Sequence, residues 1–335
     1  MQPDIYQEVI FFFKTYFPHS SPRVCVAVSG GGDSVALFNI LKECISQIPL
    51  QKLGIIHVNH HLRGKESDGD AALVKKLADH AGVDFYSKDL RPPAGSSGLE
   101  EWGRIERYAF FSQILEKNGF DFIATGHTAD DQAETVLLRL IRGCGLKGLC
   151  AIAPIRNDGI IRPMLTISRS RLRDFLAQRK IDFREDSSNK DLRFKRNWVR
   201  HELLARMVEK NPKTIINLAL IADHALRSFA SIAPIINTWR ADNVAYENDG
   251  GFLILKTGLH DMPIAAEALA EIFRGKNISF DCRHINEVFE NISKNSRIFL
   301  LRGGWCYSSV KESLKFSPSI TVLKASFKIS CKSIR

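Results

Sequence analysis

Short apolar runs alternate with helical patterns through the first 140 residues, and this alternation restricts the fold more than any other property of the chain. Residues 24–28 (VCVAV), 53–58, 84–87 and 122–125 read as β-runs. Helical patterns follow them at 35–44, 67–80, 99–118 and 130–142. Repeated β-α units predict a doubly wound α/β fold, with one parallel sheet covered by helices on both faces. Ligands bind such sheets at the carboxyl ends of the strands. Three polar clusters fall at those ends: Ser29–Ser34, His57–Arg63 and Gly126–Asp131.

The remaining sequence predicts a second, smaller C-terminal domain. A basic helix is expected at 168–179, and Asn211-Pro212 resembles a helix start, a capping residue followed by Pro. Leu218, Ile221, Ala225, Phe229, Ile232, Ile236 and Trp239 then recur at helical spacing, as a packing stripe that Pro234 is expected to kink. The boundary is expected near 215, giving domains 1–215 and 216–335, the second opening on a long linker helix. Residues 251–318 read as a small α/β or helical unit.

Composition removes several classes. The N-terminal apolar run, Val9 to Phe13, follows acidic residues and precedes Lys14, so it reads as an amphipathic helix rather than a leader. No run of about 18 apolar residues marks a membrane span. Seven cysteines include no C-x-x-C pair, which weighs against zinc ribbons and iron–sulfur sites and fits a reducing, cytoplasmic compartment. Cys25 and Cys44 lie among apolar residues, as buried thiols do.

Charge is the one unusual quantity. The chain carries 47 Lys and Arg against 37 Asp and Glu, a formal net charge of +10. Residues 139–213 hold 19 basic and 8 acidic side chains, so this stretch contains essentially the whole excess. A basic zone of this kind points to a polyanion, nucleic acid first. A solvated basic face is the plainer alternative.

The turn Ser29-Gly30-Gly31-Gly32-Asp33-Ser34 joins a β-run to a helix. Glycines permit positive φ and close backbone approach, so amides and the helix N-terminus can cradle phosphate. No G-K-[ST] follows, which excludes a Walker A loop, and G-x-G-x-x-G fails at Val35. Asp33 beside bound phosphates makes sense where Mg²⁺ bridges them, and the Ser34 hydroxyl adds a donor. S-G-G-x-D-S in this setting resembles the pyrophosphatase loop of adenylating enzymes that split ATP into AMP and pyrophosphate.

Further motifs narrow the resemblance. They are His57-Val58-Asn59-His60-His61-Leu62-Arg63, then Gly98-x-Glu100, Arg104 and Arg107-Tyr108, and Ala124-Thr125-Gly126-His127-Thr128-Ala129-Asp130-Asp131-Gln132-Ala133-Glu134-Thr135. Ile161-Arg162-Pro163-Met164-Leu165, Arg184-Glu185-Asp186-x-Ser188-Asn189 and Arg196-Asn197-x-x-Arg200 complete the series. In order and spacing these resemble the tRNA(Ile)-lysidine synthetase family, closely over 20–210 and more loosely beyond. Departures are small: Gly103 for Ala, Met164 for Leu, and Ala205 where Pro is frequent. Beside the longer members, the chain is expected to lack their last domain, as either a short form or a truncation.

The resemblance implies an adenine-nucleotide α-hydrolase-like, Rossmann-like domain that ligates free L-lysine to the wobble cytidine of the CAU-anticodon isoleucine tRNA. The cytosine oxygen attacks the α-phosphate of ATP, pyrophosphate leaves, and the lysine ε-amine then displaces AMP. It implies ATP and Mg²⁺, with tRNA and lysine as partners, expects no membrane partner, and leaves a homodimer open. Ser29, Gly30, Gly31, Gly32, Asp33, Ser34, His57 and His127 are then candidates for ATP. Asp33 and Asp130 are candidates for metal. Asp33, Asp130, Asp131, Arg196 and Arg200 are candidates for catalysis, Asp131 in the more direct role. Arg63, Arg104, Arg107, Arg139, Arg142 and Arg162 are candidates for tRNA or lysine.

Bland alternatives exist for each. Asp130 and Asp131 fit a helix dipole, His127 a core position, and Arg196 and Arg200 a solvated face. Glu100 reads as an ion-pair partner, and His57, His60 and His61 lack the spacing of a zinc site. A tRNA sulfur-transfer enzyme shares the ATP chemistry but usually needs paired catalytic cysteines or an iron–sulfur cluster; the lack of C-x-x-C weighs against it, though Cys144 and Cys150 are near the site in sequence. An amide-forming adenylating enzyme has no need of the basic zone, and a non-catalytic RNA-binding protein has no need of Asp33, Asp130 and Asp131.

Overall fold

The computed structural model describes residues 4–59, 65–91, 98–184, 195–292, 298–301, 304–310 and 312–318. The chain divides into two compact units, Met1–Leu138 with Ile152–Ala222, and Arg139–Ala151 with Asp223–Arg335.

The larger unit is built on five parallel strands: β1 (Arg23–Ala27), β2 (Lys52–Asn59), β3 (Asp84–Asp89), β4 (Phe122–Thr125) and β5 (Ile160–Ile161). Their order is β3-β2-β1-β4-β5, each neighbour pairing parallel. Helix α1 (Ile5–Tyr16) precedes β1, capped by the Asp4 carboxylate on the Tyr6 amide. Helices α2 (Gly32–Glu43), α3 (Lys65–Ala81), α4 (Leu99–Lys117) and α5 (Ala129–Arg142) follow the first four strands in turn.

Both sheet faces are buried. Val24 and Val26 of β1 pack with α1 and α2, whereas Cys25, between them, joins Phe110, Phe111 and Ile114 of α4 on the opposite face. Period-two alternation of one strand into two cores is the doubly wound arrangement expected from the sequence. The strand order reverses at β1, so the turns after β1 and β4 flank the crevice where such sheets take ligands.

After β4 the chain adds α6 (Leu146–Leu149), α7 (Arg169–Arg179), α8 (Lys195–Trp198), a π-helical turn at Val199–Leu204, α9 (Ala205–Lys210) and α10 (Thr214–Asn243). Helix α10 starts at Thr214 rather than at Asn211-Pro212. Asn211 instead closes α9 in an extended conformation, its amide donating to the Met207 carbonyl, and its side chain accepts from the Lys213 amide at 3.0 Å. The helix runs unbroken past Pro234. Among the described residues α10 is the one helix long and apolar enough to cross a membrane by length and composition; Asp223 and Arg227 interrupt its apolar run and pair at 2.9 Å.

The smaller unit takes in α6 and most of α10, and adds an antiparallel sheet and two further helices. Beyond α6 and α10 it comprises β6 (Val244–Tyr246), β7 (Phe252–Leu255), α11 (Met262–Gly275), α12 (Cys282–Glu290), β8 (Ile298–Leu300), β9 (Cys306–Val310) and β10 (Ser313–Ser317), in strand order β6-β7-β10-β9-β8. Its core is aromatic: Phe252 stacks on Phe316 at 4.5 Å, and Phe316 on Tyr307 at 5.2 Å.

Candidate active site

The Gly-rich turn is closed by its own hydroxyls. Ser34 Oγ donates to the Gly31 carbonyl at 2.9 Å and accepts from the Ser29 amide at 3.1 Å. Gly30 has φ +94°, a conformation that favours glycine, and a Cβ there would meet Asp70 at 3.3 Å. Gly31 then adopts extended backbone as the N-cap of α2, leaving the first amides of that helix at the mouth of the crevice. The Arg184 amide ties the next crossing segment to the Gly30 carbonyl at 3.0 Å.

The turn after β4 lies directly against this loop. A Cβ on Gly126 would come within 3.0 Å of the backbone of Asp33 and Ser34. Thr128 then shapes the start of α5: its amide and hydroxyl donate to Asp131 Oδ2 at 2.9 and 2.8 Å. That local cap fixes Asp131, and helical spacing places Glu134 one turn further on, beside it.

Four carboxylates and three arginines interlock here, all within the larger unit. Arg169 is the hub. Its Nε donates to Asp33 at 3.0 Å, Nη2 to Asp131 at 2.6 Å and Nη1 to Glu134 at 3.0 Å, while its amide donates to Asp130 at 2.8 Å. Arg196 reaches Glu134 at 2.7 Å and Asp131 at 2.8 Å. Arg200, on the π-helical turn, reaches both Glu134 oxygens at 2.6 and 3.2 Å. Glu134 is fully buried, so it depends on these three guanidiniums to remain charged.

The carboxyls divide into two classes. Burial raises Asp33 above the usual carboxylate range, Arg169 only partly offsetting it. Asp130 is raised by burial too, its chief compensation being the Arg169 amide. Burial also acts on Asp131 and Glu134, but the arginines outweigh it and hold both below their ordinary values. Burial brings His127 down to about 4, and its Nδ1 sits 2.9 Å from the Thr125 hydroxyl. His57 is 2% exposed; Nδ1 meets the Val28 carbonyl at 2.7 Å, and Nε2 has no partner among the described residues.

Asp33, Asp130, Asp131, Arg196 and Arg200 are thus brought together. Arg162 is outside the carboxylate cluster, its guanidinium on the Ala153 carbonyl at 2.5 Å, but its charge acts on His127. Arg104 pairs with Glu101 on the surface at 2.8 Å, and Arg107 faces the Tyr108 ring at 5.8 Å. Arg139 and Arg142 belong to the smaller unit, where Arg139 holds the Gly148 carbonyl at 2.7 Å. Arg63, His60, His61 and the stretch 185–194 lie outside the described residues, as does the Glu100 side chain.

Two central residues escaped assignment from sequence. Glu134 stood inside a quoted motif, and its three-residue offset from Asp131 was the available signal. Arg169 was counted only as bulk charge. Its position was the clue, because a cation in the first turn of a helix opposes the dipole and needs another reason to be there.

Among the described residues no set of three or more His, Cys, Asp or Glu side chains is arranged to hold a metal unaided. Mg²⁺ typically takes one or two carboxylates and completes its shell with phosphate and water. The oxygen donors of Asp33 and Asp130 fit that more modest role.

Comparison with known proteins places the chain among relatives. A protein of Solibacter usitatus named tRNA(Ile)-lysidine synthase is 36% identical over 277 residues, 81% of this chain and 61% of that protein. One of the same name from Porphyromonas gingivalis is 42% identical over 203 residues, 59% of this chain and 44% of that one. The chain therefore spans about half to three-fifths of the length of these curated relatives. Among solved structures, the U34-tRNA thiolase NcsA of Methanococcus maripaludis superposes with a TM-score of 0.56 at 17% identity, covering 67% of this chain and 78% of that one, which speaks for the fold alone. With the profile of the PP-loop domain matching residues 2–207, and the strand–turn–helix around Asp33 in place, the chain belongs to the PP-loop domain family.

Proposed function

We propose that this chain ligates free L-lysine to the wobble cytidine of an isoleucine tRNA, using ATP and releasing pyrophosphate and AMP. One observation carries the reading: two carboxylates kept ionised by arginines, Asp131 and Glu134, stand beside a PP-loop. The names of the relatives support the same activity.

The chemistry suits these groups. A ring carbonyl oxygen is a poor leaving group, and adenylation makes it a good one. The turn Ser29–Ser34 supplies amides and hydroxyls for the phosphates, with His57 and His127 toward the nucleotide. Arg196 and Arg200 are near enough to the carboxylates to share charge with the α-phosphate as it is attacked. Asp33 and Asp130 would hold Mg²⁺, which neutralises phosphate charge when bound. Lysine arrives protonated, its amine pKa being about 10.4. Asp131 and Glu134 are the anchors for that ammonium. We take residues 1–215 as the catalytic domain and 216–335 as the tRNA-contacting domain, acting in the cytoplasm; a homodimer is the assembly to test by light scattering. Arg63, Arg104, Arg107, Arg139, Arg142 and Arg162 remain the proposed contacts for RNA or lysine.

The test is one assay. Protein, Mg²⁺-ATP and bulk tRNA are incubated with each labelled amino acid in turn. Lysine alone should become tRNA-bound, with pyrophosphate and AMP released. Label entering tRNA from cysteine would identify sulfur transfer instead, and ATP turnover indifferent to RNA would remove the tRNA substrate. Asp33→Asn should abolish pyrophosphate release while leaving the melting temperature near that of the parent; parental rates would refute the role of Asp33.

A further inference from the structure

The three side-chain nitrogens of Arg169 engage carboxylates from two segments, Asp33 after β1 and Asp131 and Glu134 on α5. Its backbone amide is held separately by Asp130. The guanidinium therefore lies where a cationic substrate group has to sit if Asp131 and Glu134 are to bind it. We propose that Arg169 is a positioning residue that acts as an internal surrogate for the substrate ammonium and couples nucleotide binding to amine binding. This rests on the reading of the site as an ATP-dependent lysine ligase.

Charge dictates the direction. Among the described residues, the cluster holds four acidic and three basic side chains, and Asp33, Asp131 and Glu134 already take the whole Arg169 guanidinium. Phosphates arriving at the turn after β1 supply a further anionic partner on the Asp33 side. The amide anchor at Asp130 keeps the backbone fixed while the side chain turns. Arg169 then gives up contact with Asp131 and Glu134, which still keep Arg196 and Arg200, and the ammonium takes its place. Nucleotide and lysine accordingly favour one another, and the amine cannot compete well before the nucleotide is bound. Reciprocity requires lysine to tighten nucleotide binding by the same factor.

Equilibrium dialysis of labelled L-lysine, with and without a non-hydrolysable ATP analogue, reads this directly. In the unsubstituted protein the analogue should tighten lysine binding about tenfold or more. In Arg169→Gln, lysine should bind without nucleotide at least as tightly as it does to the parent, and the analogue should change that by less than about twofold. Arg169→Lys keeps the charge but cannot span three carboxylates, and should retain only part of the coupling. Lysine binding by the parent that ignores the analogue overturns the proposal without any variant, as does full coupling in folded Arg169→Gln. No lysine binding by the parent in either state overturns the functional reading, and this inference with it.

Discussion

The carboxylate–arginine cluster of the larger unit and the aromatic core of the smaller one are both buried, yet they are built on opposite terms. In the cluster, Glu134 has no exposed surface and three guanidiniums around it. In the aromatic core, Phe252, Phe316 and Tyr307 stack without a charge among them. Replacing a buried ionic network by apolar groups is often neutral or stabilising, whereas removing one member is costly. A charged cluster is thus an inefficient route to stability. Its presence at the carboxyl ends of β1 and β4 is better explained by a ligand. The aromatic core needs no such explanation, because burial of ring surface is sufficient reason for it.

That contrast can be broken by substitution. Glu134→Gln should show the largest effect, lowering lysine transfer by about a thousandfold or more, because it removes an anchor and the charge that three guanidiniums share. It should also lower stability by about 3–5 kcal/mol. Rates and urea midpoints measured together would separate the two losses. Phe252→Ala should cost about 3–5 kcal/mol through the cavity it leaves, with nucleotide affinity of the folded protein unchanged. If that affinity fell in step with stability, the two regions would not be separable.

The third test is pH. Burial moves His127 from 6.5 to about 4, so the unfolded chain binds its proton first. The stability contributed by neutral His127 is complete above 6.5 and is lost as pH falls toward 4. Between pH 7 and pH 5 this amounts to about 1–2 kcal/mol. Thermal melts should show the decline in the parent and a shallower one in His127→Asn. Arg104→Ala should have the smallest effect. Its partner Glu101 is exposed, and the melting temperature should stay within error.

Much of this organisation was legible in the sequence. Strand β4 falls at the expected residues 122–125, and the other three expected strands fall within a residue or two. Apolar runs bounded by turn residues are strong signals for buried parallel strands. Strand β5 was invisible because two residues carry no periodicity. The antiparallel sheet was read as a small α/β or helical unit because strands of three to five residues are too short to alternate convincingly. At the site, adjacent residues in the chain were easy to group and distant ones were not. Asp33 and Asp131 stood out within motifs, whereas Arg169, which joins them, came from a helix whose many basic residues looked alike.

The approach of Gly126 to the backbone of Asp33 and Ser34 ties the histories of two turns together. A side chain at 126 presses on the backbone of the Gly-rich turn, which has to give by a few tenths of an ångström to admit it. A change in one turn is therefore felt in the other. Directed evolution toward a different nucleotide should recover paired changes in both turns and few isolated ones.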